Sequence, residues 1–302
     1  QMIYTVTLNP AIDYVVSLNK LKTGNINRSL NETVFFGGKG INVSLILNEL
    51  GIKSTATGFI AGFTGNAIKE GLNSKGIYTD FVDLKSGLTR INVKLRAETE
   101  TDINGKGPEI GKEDIARLFE KLSRLKQGDI LVLSGSVPGT LPADIYGQIM
   151  KSLTGKGIGF VVDAEKDLLL SSLKYTPFLV KPNSEELGNI FGVHIDSERD
   201  AFKYAKKLKE HGAVNVLVSM GAKGAALLDE QSKEHFMKSV TGKAVNTTGA
   251  GDSMVAGFIA GFSESGDYDY ALSLGTAAGS ATAFSEGLAT KERIYELLKM
   301  LQ

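Results

Sequence analysis

The sequence predicts an α/β fold: a mostly parallel sheet covered by helices on both faces, with a smaller β-sheet set apart from it. Three observations predict it. Beyond Gly111, short apolar runs alternate with helical patterns, the rhythm of a three-layer αβα sandwich with right-handed crossovers. Before Gly111, four extended runs stand outside that rhythm, and one of them alternates polar and apolar residues with a period of two. At 302 residues the chain is long enough to bury a full core and exceeds the usual single-domain length, so one large domain with an appendage is expected.

Composition removes several classes of function. With 34 basic and 34 acidic residues, no bulk charge favours nucleic acid or an anionic membrane. The absence of cysteine excludes disulfides, thiolate nucleophiles and zinc–cysteine sites, and is compatible with a reducing cytoplasm. His194, His211 and His235 lack ligand spacing and lie beside no obvious nucleophile, which argues against a Ser-His-Asp hydrolase. No apolar run reaches transmembrane length and no basic-then-apolar segment opens the sequence, so a cytoplasmic protein is expected.

Ile3 to Leu8 reads as a strand that Asn9-Pro10 stops and turns. Ala11 to Val16 is a second extended run carrying Asp13, which either fixes the Asn-Pro turn or faces sugar hydroxyls; these residues alone favour the turn. Asn31 to Phe36 runs into Gly37-Gly38-Lys39-Gly40 and a helix over 41–50. Strand, glycine cluster and helix is the layout of a turn that lets backbone approach a ligand, with Lys39 and Asn42 facing the same space. Neither the dinucleotide pattern Gly-x-Gly-x-x-Gly nor the Walker pattern occurs anywhere in the chain. A strand over 53–62, a helix over 64–75 and an extended run over 77–84 follow. In Thr89 to Arg96, residues Arg90, Asn92, Lys94 and Arg96 share one face and Ile91, Val93 and Leu95 the other, as in a sheet with one open side. Arg90 either holds a substrate phosphate or is merely solvated with its three neighbours.

The regular half reads as helix 113–126, strand 130–134, helix 142–153, strands 158–163 and 178–180, helices 184–191 and 198–211, and strand 214–218. Ligands of such sheets bind beyond the carboxyl ends of the strands, where the remaining motifs fall. Ser134-Gly135-Ser136 follows one strand and Lys181-Pro182-Asn183 another. Asn183 and Glu186 are three apart at a helix start, which suits a capping box, or a hydrated Mg²⁺, or both. Ser219-x-Gly221-x-x-Gly224 is a plain hairpin turn or a place where a ring or phosphate meets the backbone. Asn246-Thr247-Thr248-Gly249-Ala250-Gly251-Asp252 then opens an apolar helix. Small residues leave the amides of Gly249, Ala250 and Gly251 bare at a positive helix end, and Asp252 sits in the same turn. A base for an alcohol beside an anion hole is the equipment of phosphoryl transfer. A small-residue helix over 269–284 and an amphipathic helix over 291–301 close the chain.

Gly37-Gly38-Lys39-Gly40-Ile41-Asn42 and the run Asn246 to Asp252 resemble the two signatures of the ribokinase-like, PfkB-type carbohydrate kinases. Asn9-Pro10-Ala11-x-Asp13, Lys181-Pro182-Asn183-x-x-Glu186 and Ser219-x-Gly221-x-x-Gly224 lie between them in the order found in that family. The resemblance covers essentially the whole chain and implies one ribokinase-like catalytic domain over residues 1–302, with lid strands at about 11–16, 31–36 and 89–103. It implies Asp252 as the base, with the amides of Gly249, Ala250 and Gly251 stabilising the moving phosphoryl group. It further implies sugar-phosphate contacts at Asp13, Gly38, Lys39, Asn42, Arg90, Ser136 and Arg28. Contacts to ATP and Mg²⁺ are implied at Lys181, Asn183, Glu186, Ser219, Gly221, Gly224 and Thr248. Within the family the chain is most similar to the branch acting on fructose 1-phosphate, with the tagatose 6-phosphate branch as its sister. A cation pair aimed at a second phosphate favours a phosphorylated sugar over a free one. Asn246 stands where many members have Asp. A homodimer pairing two lids is expected, because a small sheet leaves an apolar face it cannot bury alone. A non-catalytic sensor would carry a degraded base or anion hole, and an oxidoreductase its dinucleotide fingerprint; the sequence has neither mark.

Overall fold

The structure, a computed structural model, describes residues 1–301. The chain opens with β1 (Ile3–Thr7), β2 (Ala11–Ser17), β3 (Asn31–Gly37), α1 (Lys39–Glu49), β4 (Thr55–Ala61) and α2 (Gly62–Ser74). Four strands follow: β5 (Tyr78–Thr79), β6 (Val82–Leu84), β7 (Arg90–Arg96) and β8 (Glu100–Ile103). The regular half begins with α3 (Lys112–Leu122), β9 (Ile130–Ser134), α4 (Ile145–Ser152), β10 (Gly159–Asp163), α5 (Lys166–Leu173) and β11 (Leu179–Val180). It continues through α6 (Ser184–Phe191), α7 (Glu198–Glu210), β12 (Asn215–Ser219), β13 (Ala225–Leu228) and β14 (Glu234–Met237), and ends with α8 (Ala250–Ser265), α9 (Tyr268–Ala283) and α10 (Lys291–Leu301).

The main sheet has the order β14-β13-β12-β11-β10-β9-β1-β4-β5, with β6 also paired to β4. From β12 to β5 all pairs are parallel, and β13 and β14 join antiparallel at one edge. The switch follows from loop length: the turn from Met220 to Gly224 is too short for a crossover, so the chain returns as a hairpin. Strand residues alternate between two cores. Tyr4, Val6, Leu131, Leu133, Phe160 and Val162 pack under α3 to α7, whereas Ile3, Ile130, Val132 and Val161 pack under α1, α8, α9 and α10. Both faces are therefore apolar, which is why these strands read as continuous hydrophobic runs. On the second face α8 and α9 approach very closely; a Cβ on Gly257 would lie 2.6 Å from the carbonyl oxygen of Leu274. The small-residue composition of α9 thus serves helix packing.

A separate four-stranded sheet has the order β3-β2-β7-β8. Register sets Asp13 beside Phe35 and Asn92 on one face, and Tyr14, Val34, Val93 and Ile103 in a row on the other. Asn9-Pro10 feeds β2 from β1, and β3 runs directly into α1, so this sheet leans over the carboxyl ends of the main strands.

Three elements differ from sequence expectation. The 77–84 run is broken into β5 and β6 at Asp80, whose backbone is tied to β4 through Ala56 and Thr57. Helix α5 is unexpected because three consecutive leucines, Leu168 to Leu170, mask its period. Strand β14 is also unexpected. Its four residues carry no clear alternation and are held from outside: His235 Nε2 lies 3.0 Å from Asp229 Oδ2, and Nδ1 lies 2.6 Å from Asp269 Oδ1 at the start of α9.

Candidate active site

A cavity of about 460 Å³ opens between the ends of the parallel strands and the polar face of the smaller sheet. Its floor is the N-terminus of α8. Gly249, at φ +81°, turns the chain into the helix, so that Gly251 and Asp252 fall in the first turn. The amide of Ala250 donates to the carbonyl of Thr247 at 3.2 Å and is already engaged, while those of Gly249 and Gly251 have no partner among the described residues. The two glycine amides and the helix dipole remain available to an anion, whereas the Ala250 amide, expected to join them, is taken up by Thr247.

Asp252 is buried, and its Oδ2 accepts a hydrogen bond from Asn42 Nδ2 at 2.8 Å, which joins the first turns of α1 and α8. Asp163, at the end of β10, sits opposite with its Oδ1 3.4 Å from Lys39 Nζ and 3.3 Å from Lys181 Nζ. Its Oδ2 is buried without a partner. Burial resists ionisation of Asp163, but Lys181 and Lys39 outweigh it and hold the carboxyl below the usual range. Asp252 goes the other way: burial first, then the Asp163 carboxylate, push it up to about 6 against Lys39, Asn42 and Lys181. Burial also works against the charge on Lys39, yet Asp163, Asp252 and Glu186 together raise its pKa. The result is a carboxyl raised to about 6 beside two lysines, the kind of arrangement a proton-abstracting site can use.

The cavity wall gathers Asp13, Gly38, Lys39, Asn42, Arg90, Ser136, Lys181, Asn183, Glu186, Ser219, Thr248, Gly249, Gly251 and Asp252 from the sequence reading. Asp13 is not used for the Asn-Pro turn: it faces the cavity and accepts from Asn92 Nδ2 at 2.8 Å. Arg90, Asn92 and Lys94 also line the wall, and only Arg96 turns outward, to Glu100 and Asp102. The polar side of β7 is thus the inward side of its sheet. Asn183 and Glu186 form the capping box, with Glu186 N donating to Asn183 Oδ1 at 2.7 Å and Asn183 N to Glu186 Oε2 at 2.8 Å, and they line the cavity as well. Capping leaves acceptor capacity on both side chains toward the cavity. No group of three or more His, Cys, Asp or Glu that could hold a metal occurs among the described residues. These two oxygen donors, with the unpartnered Asp163 Oδ2 nearby, fit a hydrated dication that takes its other ligands from water and phosphate.

Three expected contacts lie elsewhere. Arg28 is exposed on the loop between β2 and β3 and does not line the cavity. Gly221 and Gly224 sit in the hairpin turn beyond Ser219, outside the wall. Gly224 is small for another reason: with φ +115°, its Cβ would lie 2.0 Å from the carbonyl oxygen of Met237 on β14.

A family model described as pfkB family carbohydrate kinase matches residues 6–294. The chain belongs to the pfkB family of carbohydrate kinases. The 1-phosphofructokinase of Bacillus subtilis is 46% identical over 98% of this chain and 97% of its own. The D-tagatose-1-phosphate kinase of Bacillus licheniformis is 37% identical over 100% and 99%. Among solved structures, phosphofructokinase-2 of Escherichia coli in complex with substrates and products superposes with a TM-score of 0.93 at 27% identity, covering 100% of this chain and 99% of that one. The E. coli protein has also been solved as a tetrameric inhibited form.

In this pfkB carbohydrate kinase the ribokinase-like α/β fold with its smaller sheet agrees with expectation. Asp163, Glu165, Asn92, Lys94, Thr7 and Thr247 line the cavity without having been singled out as site residues. One signal was available for Asp163: an acid closing the apolar run Phe160 to Val162 at the ligand-binding end of a parallel strand. No helix among the described residues is long and apolar enough to cross a membrane.

Proposed function

We propose that this carbohydrate kinase transfers the γ-phosphoryl group of ATP to the 6-hydroxyl of fructose 1-phosphate, giving fructose 1,6-bisphosphate and ADP. The observation that carries the reading is the pairing of Asp252 with free glycine amides at the start of α8, with Lys39 and Lys181 on the wall of the same cavity. Asp252 takes the hydroxyl proton as the acceptor oxygen bonds to phosphorus and the bond from phosphorus to the ADP oxygen breaks. The amides of Gly249 and Gly251, with Lys39 and Lys181, neutralise charge on the transferring group. Asp13, Gly38, Asn42, Arg90 and Ser136 hold the sugar phosphate, and Ser219 and Thr248 the nucleotide. A Mg²⁺ held through water at Asn183 and Glu186 would supply Lewis-acid neutralisation of the ATP phosphates. Fructose 1-phosphate is favoured by the strong similarity to the Bacillus subtilis enzyme.

A second reading, transfer to tagatose 1-phosphate, is favoured by the Bacillus licheniformis relative. Tagatose 6-phosphate is the third candidate. The test is ADP release with Mg-ATP and, at equal concentrations, fructose 1-phosphate, tagatose 1-phosphate, tagatose 6-phosphate, fructose 6-phosphate and free fructose. Preference for fructose 1-phosphate is expected. Preference for a tagatose phosphate moves the assignment while keeping the mechanism, and silence with every sugar from folded protein overturns it.

We further propose a homodimer through the smaller sheet, in the reducing cytoplasm that a cysteine-free chain suits. Val34 and Ile103 are 53% and 58% exposed in the row on its outer face, and the self-association of the E. coli neighbour supports the reading. Light scattering of the wild type should give twice the chain mass, and Val34→Asp with Ile103→Asp should give the monomer. A wild-type monomer with full activity sinks the idea.

A further inference from the structure

We propose that Asn92 and Lys94 of β7 are positioning residues that hold the Asp13 carboxylate in the orientation that receives the sugar hydroxyls. The inference deepens the reading above and rests on it.

Asp13 is enclosed on three sides. Asn92 Nδ2 donates to its Oδ1 at 2.8 Å, and Lys94 Nζ stands 3.6 Å from its Oδ2. On the third side is Gly37 of β3, where a Cβ would lie 2.5 Å from the same Oδ2. The one open direction is the cavity, which Asp13, Asn92 and Lys94 all line. Asn92 is itself fixed: its Oδ1 accepts from the Gly105 amide at 3.2 Å while its Nδ2 serves Asp13. With both ends of the amide engaged, a flip would place like atoms against like and lose both bonds. The relay runs from the chain after β8, through β7, to the carboxylate on β2.

Burial separates this pair from an ordinary surface ion pair. The side chains of Lys94 and Asp13 are 15% and 17% exposed, whereas Lys20 and Glu98 at the outer end of the same sheet are 61% and 63% exposed. An exposed pair contributes little, since water screens it and two long side chains must be ordered. At the cavity wall the ordering is done in advance, so a sugar hydroxyl meets an acceptor already aimed at it. Arg90, two residues earlier on the same face, also feels the Asp13 charge but makes no ion pair with it, its Nη2 donating to the carbonyl of Asn9 at 3.0 Å. Lys94 is therefore the cation of β7 in ion-pair contact with Asp13. Its role is exercised through Asp13 rather than on the reacting atoms.

The experiment compares wild type, Lys94→Met, Lys94→Arg, Asp13→Asn and the double variant Asp13→Asn with Lys94→Met. Steady-state kinetics use fructose 1-phosphate and Mg-ATP, and calorimetry measures fructose 1-phosphate binding. Lys94→Met is expected to raise the sugar-phosphate KM about tenfold, the size of one charge-assisted contact, while KM for ATP stays within about twofold. Lys94→Arg should recover most of the loss. In the calorimeter the double variant should bind no more weakly than Asp13→Asn alone, because Lys94 has nothing left to position. An unchanged KM in Lys94→Met overturns the inference, and so do losses that multiply in the double variant, which would mean that Lys94 contacts the sugar phosphate itself. A loss confined to kcat and melting temperature in both Lys94 variants also overturns it, as the mark of a merely structural role. Wild-type protein that turns over none of the sugar phosphates overturns the underlying functional reading, an outcome separate from these.

Discussion

Asp252→Asn is expected to lower kcat by about 10²–10⁴-fold, the range for loss of a general base, while ATP binding measured by calorimetry stays near the wild-type value. Asparagine keeps the shape of the side chain and its contact with Asn42, so the loss falls on proton removal rather than on packing. The same residue sets a pH dependence whose sign follows from its environment. Burial and the Asp163 carboxylate raise the Asp252 pKa to about 6, and only the ionised form accepts a proton. The sugar-phosphate kcat/KM of the wild type should therefore fall as pH drops through about 6, where an ordinary aspartate would remain fully active. A profile flat from pH 7 to pH 5, or an Asp252→Asn variant with wild-type turnover, would remove Asp252 from the mechanism.

Asp163→Asn is expected to act on stability and on the pH profile together. The carboxylate is the shared partner of Lys39 and Lys181, and Lys181 is itself only 3% exposed. Neutralising it leaves two cations facing each other; Lys181 is buried but the Lys39 side chain is 38% exposed, so water screening brings the loss below the roughly 3–5 kcal/mol of a fully buried pair, to about 2–3 kcal/mol. In a chain of this size that corresponds to a fall of roughly 5 °C in melting temperature. The sign with pH is the usual one for a depressed carboxyl: the stabilisation is present above the unfolded pKa and is lost as pH falls through the lowered folded value. Asparagine also removes a negative neighbour that pushes Asp252 upward, so the acidic limb of the activity profile should move to lower pH in the variant. A stable variant whose limb stays in place would show that Asp163 neither balances the lysines nor tunes Asp252.

The motif residues that sequence reading brought to the cavity belong to short segments with their own backbone logic. Gly249 to Asp252 open a helix after a glycine turn, Gly38 to Asn42 do the same after a strand, and Asn183 to Glu186 form a box closed on itself. Each is settled within about one helical turn, where spacing dictates geometry. Gly221 and Gly224 lie outside the cavity wall, and at Gly224 glycine is required for packing as well, since a Cβ there would meet the carbonyl oxygen of Met237. Helix α5 was opaque because its consecutive leucines hide the helical period, and β14 because His235 is held from outside by Asp229 and Asp269.

By itself the sequence determined the strand and helix alternation, the two glycine turns with Lys39 and Asp252, and which side of β7 is polar. It did so because backbone period and turn chemistry act over a few residues. What that polar side faces was decided only when β2 and β7 paired and the smaller sheet folded over the strand ends, setting Asn92 and Lys94 against Asp13. Asp252 was likewise identifiable in sequence as the candidate base, but its pKa was not. That depends on the burial of Asp252 and on Asp163 and Lys39, 124 residues apart in the chain, meeting beside it. Charge interactions reach across space without regard to sequence separation, so the fold alone sets them.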